Sequence, residues 1–460
     1  MVRRYILENK GKSLLVAGIL LMWMLLGVLF RQYGYFETWE LWQVPVHPPV
    51  FRDFLLIPGS AASFRNGFEP TVENPYDVGG RIFNYPAFWR LFFYTNISAD
   101  DAIWMVTLLL VLYFVSAALF PQKLTAAGAV LMLLVLFSPA SMLLYERGNA
   151  DLFVFFICAL IVLASGHSAN WTAGLIVFGA IVKMYPLFGI SVLFKETKKR
   201  FWRLAAACVL FVAIYGLLTF RSQSAAWNAT MRGDGASYGS FVLVTRLGGY
   251  LQELLPGLFS IREWEIVFEG AALVLILGAG ILAVRDPNGL TALHERNLAA
   301  FRMGASIYAG TFLLGNNWDY RLAFLVFAIP QLAEWLCLKN RKQRTIVMVV
   351  IVAILLSSWH FMLKFDLPFI PLKNPVNRNF VIDESINWLL LPGFVYLLSA
   401  SFPDWLRQDL QKLFGKAADK RIREAHENVP TPAPNAIRYA LRRSGMPESL
   451  SLRHPSSKAV

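Results

Sequence analysis

The chain has 460 residues, 56% of them hydrophobic and 16% charged, with a formal net charge of +13. Soluble globular domains run nearer to roughly 45–50% apolar and 25% charged, so the composition is that of a polytopic membrane protein. Its basic excess fits cytoplasmic loops and tails rather than a nucleic-acid partner, and Cys158, Cys208 and Cys337 all fall inside apolar runs, which excludes a disulfide framework or zinc spacing.

The N-terminus, MVRRYILENKGKS, places Arg3, Arg4, Lys10 and Lys12 ahead of an apolar run at 14–30. Arg31-Gln32-Tyr33 follows where a signal peptide would carry small residues for cleavage. The run therefore reads as an uncleaved first helix with its N-terminus inside. An external loop at 31–101 comes next, and within it 51–86, FRDFLLIPGSAASFRNGFEPTVENPYDVGGRIFNYP, is the longest polar stretch before the C-terminal tail. Further apolar runs fall at 102–120, 124–144, 151–165, 171–194, 202–220, 264–284, 300–314, 320–338, 345–363 and 386–400. Most are near the roughly 20 residues a spanning helix needs. The expected fold is all-α, a polytopic bundle of transmembrane helices with about ten crossings plus a re-entrant or broken helix.

The basic loops set the orientation. If every run crossed, KETKKRFWR at 195–203 would fall outside, against the positive-inside rule. The conflict disappears if 171–194 dips in and returns, broken at Tyr185-Pro186, since Pro removes a backbone donor and irregular backbone is tolerated where protein or a watery cavity shields it. The basic segments 195–203, 285–296 and 339–344 then lie inside with the tail, while 32–101, 145–149, 221–240, 315–319 and 364–385 gather on the other face. One polar cavity on the non-cytoplasmic side is predicted. Residues 1–403 form the membrane domain and 404–460 a basic cytoplasmic tail, with a surface helix near 405–425 followed by disorder.

Charges at the ends of apolar runs are the candidate site. Tyr145-Glu146-Arg147-Gly148-Asn149-Ala150-Asp151 and Asn316-Asn317-Trp318-Asp319-Tyr320-Arg321 each open a run, and Lys183 precedes the expected helix break. A charge at membrane depth costs about 2.5–3.5 kcal/mol on insertion scales, so it is usually paired or functional. Singly, Asp151 can be an N-cap, Lys183 can snorkel, and Asp319 with Arg321 can be a surface ion pair. Together, on one face, they point to a site. Asp53, ahead of Phe-Leu-Leu-Ile, reads either as a cap on a short helix or as a general base able to take a proton from an attacking hydroxyl. Glu69, Glu73 and Asp77 sit in turn-forming surroundings, and His47, before Pro48-Pro49, reads as a loop residue.

Nucleotide motifs are missing. Gly11-Lys12-Ser13 has Ile6 where a phosphate-binding loop needs its first Gly, and no strand-borne dinucleotide fingerprint occurs. A lipid-carried donor remains open.

The chain resembles the GT-C glycosyltransferases, and within them the polyprenol-phosphate-mannose-dependent mannosyltransferases of glycosyltransferase family 87. The likeness is carried by Arg52-Asp53-Phe54 leading through Asn74-Pro75-Tyr76-Asp77 to Asn84-Tyr85-Pro86, by Arg147-Gly148-Asn149-Ala150-Asp151, by Ala173-Gly174 through Ile181-Val182-Lys183-Met184-Tyr185-Pro186, and by Tyr238-Gly239-Ser240-Phe241 with Arg246 and Trp318-Asp319-Tyr320. It departs from the family at Ala87, where a second Pro is common. The resemblance implies transfer of a sugar, mannose in that family, from a polyprenyl phosphate to a hydroxyl on a lipid or glycan acceptor, with inversion, at the external face of the plasma (inner) membrane. Asp53 would be the base, Lys183, Arg147 and Arg246 would hold the donor phosphate, and Tyr85, Asn149, Asp151, Trp318, Asp319 and Arg321 would line the substrate. No cofactor and no metal is expected, Asp151 notwithstanding. A transporter or flippase of lipid-linked sugar is the alternative, since intramembrane charges and broken helices also mark transport sites. A non-catalytic scaffold subunit is a third.

Overall fold

In hydrocarbon a backbone N–H or C=O finds no water, so each apolar run must satisfy its own polar groups, and a helix does so within one segment. The computed structural model describes residues 9–230, 236–245, 257, 260–286, 288–363 and 378–413, and the apolar runs among them are helical. The helix α1 (Lys10–Tyr33) leads into the short α2 (Tyr35–Leu41) and α3 (Arg52–Arg65), followed by α4 (Ala102–Leu119). A bent pair, α5 (Ala126–Leu136) and α6 (Pro139–Arg147), precedes α7 (Asp151–Ser165) and α8 (Ala169–Val182), and a 3-10 helix spans Tyr185–Lys195. Then come α9 (Lys198–Leu218), α10 (Phe220–Ala229), α11 (Ile261–Arg285) and α12 (Glu295–Leu313), a second 3-10 helix at Asp319–Ala328, α13 (Ile329–Trp335), α14 (Arg341–Trp359) and α15 (Arg378–Ala400). A two-residue antiparallel pair joins β1 (Ser237–Tyr238) to β2 (Asn317–Trp318). Of the expected tail helix, 404–413 is helical and the remainder lies outside the described residues.

Helix starts are encoded locally. The side chains of Thr125, Ser138, Ser168 and Asn340 each accept a backbone N–H of the turn that follows. Ser260 and Glu263 form a reciprocal capping box at the head of α11.

Six helices are long and apolar enough to cross a membrane, and the α5–α6 pair, bent by 52°, makes a seventh if taken as one span. The protein is an integral membrane protein of helical architecture. The difference from about ten expected crossings lies in segments that are apolar but short. Among them α7 has 15 residues, and 320–338 divides between a 3-10 helix of 10 and α13 of 7. The stretch expected to re-enter is short as well. With 14 residues in α8 and 11 in the 3-10 helix after it, its two limbs are about 21 and 22 Å long at 1.5 and 2.0 Å per residue, less than the roughly 30 Å of a hydrocarbon core.

The break falls at Lys183 and Met184, just before Tyr185-Pro186. Pro186 has no N–H to offer the carbonyl of Val182 four residues back. The indole Nε1 of Trp89 donates to that carbonyl instead, at 3.0 Å. The returning limb ends where α8 began, for Lys195 Nζ donates to the carbonyl of Ser165. The segment folds back on itself.

The basic connections meet at one end of the bundle. Gln122 N donates to Asn297 Oδ1 at 2.8 Å, Arg296 to the carbonyl of Pro121 at 3.3 Å, Leu290 N to the carbonyl of Ala400 at 2.8 Å, and Gln343 Nε2 to that of Asn288 at 2.6 Å. Counting along the helices from there, α3, the α6–α7 turn, Lys183, the β1–β2 pair and the end of α14 all fall at the opposite end. Among the described residues this is the grouping the loop charges predicted; 231–235 and 364–377 lie outside them.

Between helices in lipid, close packing and hydrogen bonds replace the hydrophobic driving force. Aromatic rings fill the centre: Tyr113 and Phe155 lie 4.1 Å apart, and Phe155 and Phe327 4.5 Å. Gly11 lets α1 lie against backbone, since a Cβ there would stand 2.1 Å from the carbonyl oxygen of Leu124 and 2.7 Å from that of Thr125. Gly27, on the same helix, has nothing within 4 Å of that position. Gly11→Ala is therefore expected to lower the stability of the detergent-solubilised protein by about 1–3 kcal/mol, while Gly27→Ala leaves it unchanged or raises it by up to about 1 kcal/mol through helix propensity. Thermal unfolding of the two variants beside wild type checks this.

Candidate active site

Two left-handed residues in contact bring the site together. Phe51, just before α3, has φ 57°, a region that non-glycine residues rarely occupy. Gly148, just after α6, also has φ 57°, and a Cβ on it would stand 2.9 Å from Cβ of Phe51. Only a residue without that atom both takes this conformation easily and admits Phe51. The first turn of α3, carrying Asp53, thereby faces the turn that carries Asn149.

From there a chain of polar contacts runs inward. Asn149 Nδ2 donates to Asp53 Oδ2 at 2.8 Å, and Asn149 Oδ1 accepts the backbone N–H of Asp151 at 3.0 Å. That second bond fixes which way the amide points. Asp151, at the head of α7, is fully buried and is shared by Lys183 Nζ and Arg321 Nε, the latter at 3.4 Å. Arg321 also donates to Oδ1 of Asn317. Lys183 Nζ lies 5.7 Å from the ring centre of Tyr85 and 6.0 Å from that of Tyr185, and the Arg321 guanidinium lies 5.5 Å from Tyr185 and 6.0 Å from Tyr320. These are cation–π distances. Trp318 stacks on Tyr320 at 6.5 Å.

The other oxygen of Asp53 looks towards two guanidinium groups, with Arg81 Nη1 at 3.4 Å and Arg147 Nη1 at 4.0 Å. Arg81 is itself clamped by Asp77 through contacts of 2.9 and 3.1 Å, and Asp77 also accepts the backbone N–H groups of Gly79 and Arg81. Burial works against the charge on Asp77, but Arg81 and those N–H groups outweigh it and hold the carboxyl below its usual range. Arg147 Nη2 lies 2.8 Å from His47 Nδ1, and a guanidinium can only donate. Burial and the neighbouring Arg147 both lower the pKa of His47, which accepts as a neutral imidazole. Asp53 differs from its acidic neighbours in access: its side chain is 21% exposed, whereas those of Asp77 and Asp151 are 0% exposed.

The structure thus joins Asp53, Tyr85, Arg147, Asn149, Asp151, Lys183 and Arg321, with Trp318 alongside. Arg246 lies outside the described residues. Asp319 belongs elsewhere: it is buried, and its Oδ2 lies 3.3 Å from His360 Nε2. The surface ion pair of Asp319 with Arg321 does not form; each has a different partner. Arg81 was missed, and Asn317, inside a candidate cluster, had been given no role of its own. Arg81 had a local signal, standing four residues after Asp77.

The model of glycosyltransferase family 87 matches residues 83–314, about half of the chain. The chain belongs to glycosyltransferase family 87. No curated protein and no solved structure matches it. Family membership makes it an enzyme that transfers sugars, consistent with a GT-C architecture. In this family 87 glycosyltransferase the matched span contains Tyr85, Arg147, Asn149, Asp151 and Lys183, while Asp53, Trp318 and Arg321 reach the same place from outside it.

Removing the shared carboxylate leaves two buried cations unmatched, so Asp151→Asn is expected to cost about 3–5 kcal/mol. Adding Lys183→Met to it should restore part of that loss, a non-additivity read from unfolding of the single and double variants. Asp77 sets an acid limit. Its lowered pKa means that its stabilisation is complete above about pH 4 and is lost as pH falls through the folded-state value. Asp77→Asn should lower the thermal midpoint at neutral pH and flatten its decline below that point.

Proposed function

We propose that this glycosyltransferase moves a sugar, mannose, from a polyprenyl-phosphate donor to an acceptor hydroxyl on the non-cytoplasmic face, by inverting displacement. The observation that carries the reading is one solvent-reachable carboxylate, Asp53, wired through Asn149 to a node where Lys183 and Arg321 share the single charge of Asp151. Two cations on one carboxylate leave a positive charge in excess, which suits a phosphate. Asp53 keeps an oxygen able to receive a proton.

The step follows from these roles. The acceptor oxygen attacks the anomeric carbon as Asp53 takes its proton. The bond from that carbon to the phosphate oxygen breaks, and polyprenyl phosphate departs with the electron pair. Negative charge grows on the leaving phosphate, and cations held in place beforehand stabilise it without reorganising. Lys183 fills that role, together with Arg147 and, following the family resemblance alone, Arg246. Tyr85, Asn149, Asp151, Trp318 and Arg321 border the sugar. Inversion places base and leaving group on opposite faces of the ring.

A lipid-borne substrate is supported by an apolar groove of about 530 Å³ between α1 and α4, lined by Val16, Ile19, Trp23, Leu110 and Phe114 and reaching Phe51, two residues from Asp53. The positive-inside rule places the basic end in the cytoplasm, with both termini, and the site on the far face of a plasma (inner) membrane.

The test is transfer of radiolabelled mannose from polyprenyl phosphate by the purified protein in lipid vesicles, with lipid and glycan acceptors offered. Wild type should transfer with inverted anomeric configuration. Asp53→Asn should fold normally and lose about 10²–10⁴-fold in rate. A variant as fast as wild type, or a product of retained configuration, would sink the assignment of Asp53; transfer of another hexose in place of mannose would change the sugar.

A further inference from the structure

A second buried cluster lies behind the Asp53–Asp151 chain. Asp319 opens a 3-10 helix, His360 follows the last residue of α14, and Asp383 lies near the start of α15. Three segments distant in sequence meet here: one potential ligand atom from each residue lies within 4.8 Å of the others. Asp319 Oδ2 is 3.3 Å from His360 Nε2, and Asp383 Oδ1 is 3.6 Å from His360 Nδ1. All three side chains are more than nine-tenths buried, and Glu384 adds a further buried carboxylate next to Asp383.

The hydrogen bonds say which atoms are available. His360 Nδ1 lies 2.6 Å from the carbonyl oxygen of Ser357, which can only accept, so Nδ1 carries a hydrogen. Nε2 is left as the ligand nitrogen, and it faces Asp319. Neither oxygen of Asp319 has a hydrogen-bond donor among the described residues. Asp383, by contrast, is oriented by Ser357 Oγ at 3.1 Å and Asn387 Nδ2 at 3.2 Å. A metal-bound histidine commonly hands its other N–H to a backbone carbonyl, and ligating carboxylates are themselves hydrogen-bonded. His360 and Asp383 have those supports, and Asp319 supplies oxygens that lack any other donor.

We propose that Asp319, His360 and Asp383 bind a divalent cation. One imidazole with carboxylate oxygens is a donor set for a first-row ion such as Mn²⁺. The cation acts as a positioning element. Asp319 immediately precedes Tyr320 and Arg321, and Arg321 meets Asp151, so a metal tying Asp319 to α14 and α15 fixes the helix that aims Arg321. The site is independent of which sugar or donor the enzyme takes.

The test uses the full-length protein in detergent, stripped with a chelator and titrated with Mn²⁺ alone, free ion being counted by electron paramagnetic resonance. Wild type and Asp53→Asn should each bind about one ion per chain with a rise in thermal midpoint, which separates this site from the catalytic carboxylate. His360→Gln and Asp383→Asn should weaken binding by at least about tenfold. Pulsed resonance on the wild-type complex should show coupling to an imidazole nitrogen, a readout that does not depend on either variant folding. No bound Mn²⁺, binding undiminished in both variants, or a bound ion without imidazole coupling would each overturn the proposal and leave His360 as an imidazolium between two carboxylates.

Discussion

A carboxylate shut away from water must be met by positive charge, and Asp151 is met by two cations from segments distant in sequence. Lys183 comes from the broken segment after α8, Arg321 from the 3-10 helix after β2, and Asp151 itself from the head of α7. Segments with little local reason to hold their positions are tied at one point. Such a node need not add net stability over apolar packing, because desolvation consumes much of the attraction, but removing one member leaves a bare charge. Its value lies in geometry. It places two positive groups and Asn149 relative to one another before any substrate arrives.

The helix break is the second half of that arrangement. In a continuous helix Lys183 would point wherever the 3.6-residue period put it. Here its backbone is extended, φ −161° and ψ 130°, and the carbonyl orphaned by Pro186 is taken by Trp89. Trp89 belongs to the 3-10 segment Ala87–Tyr94 that follows Tyr85-Pro86. The external loop therefore completes the membrane part: it caps the break that exposes Lys183 and supplies the Tyr85 ring beneath its ammonium.

Much of this was legible in the sequence because a charge beside an apolar run is conspicuous for a physical reason, its cost in lipid. Asp53, Arg147, Asp151 and Lys183 stood out on those grounds, and the basic loops sorted the ends of the helices. What did not show were partners that only the fold supplies. Asp319 and Arg321, two apart and oppositely charged, suggested a pair, yet on a helix of three residues per turn positions i and i+2 point about 120° apart. One turned to Asp151 and the other to His360. Arg81 was hidden in a turn-rich loop, where charges are ordinary. His360 and Asp383 carry no ligand spacing, since α14 and α15 run in opposite directions to bring them together. The crossing count is not confirmed, for a different reason: composition reports apolarity, but not that 151–165 forms a helix of only 15 residues or that 320–338 divides between a 3-10 helix and the short α13.

On the proposed mechanism, the proton acceptor among the acidic residues at this end must be one that can change its charge without dismantling its surroundings. Asp77 cannot, because its two oxygens hold Arg81 by two contacts and receive two backbone N–H groups besides. Asp151 cannot, because protonating it would leave Lys183 and Arg321 facing each other with no anion between. Asp53 has one good hydrogen bond, and its donor is the neutral amide of Asn149. That donor orients the carboxylate without pairing its charge. The guanidinium groups stand farther off, at 3.4 and 4.0 Å, and do not close its other oxygen. Taking a proton there costs those looser attractions and nothing structural. On this account, strengthening the grip on Asp53, by bringing either guanidinium into full hydrogen-bond contact, should slow proton transfer even though it adds an interaction.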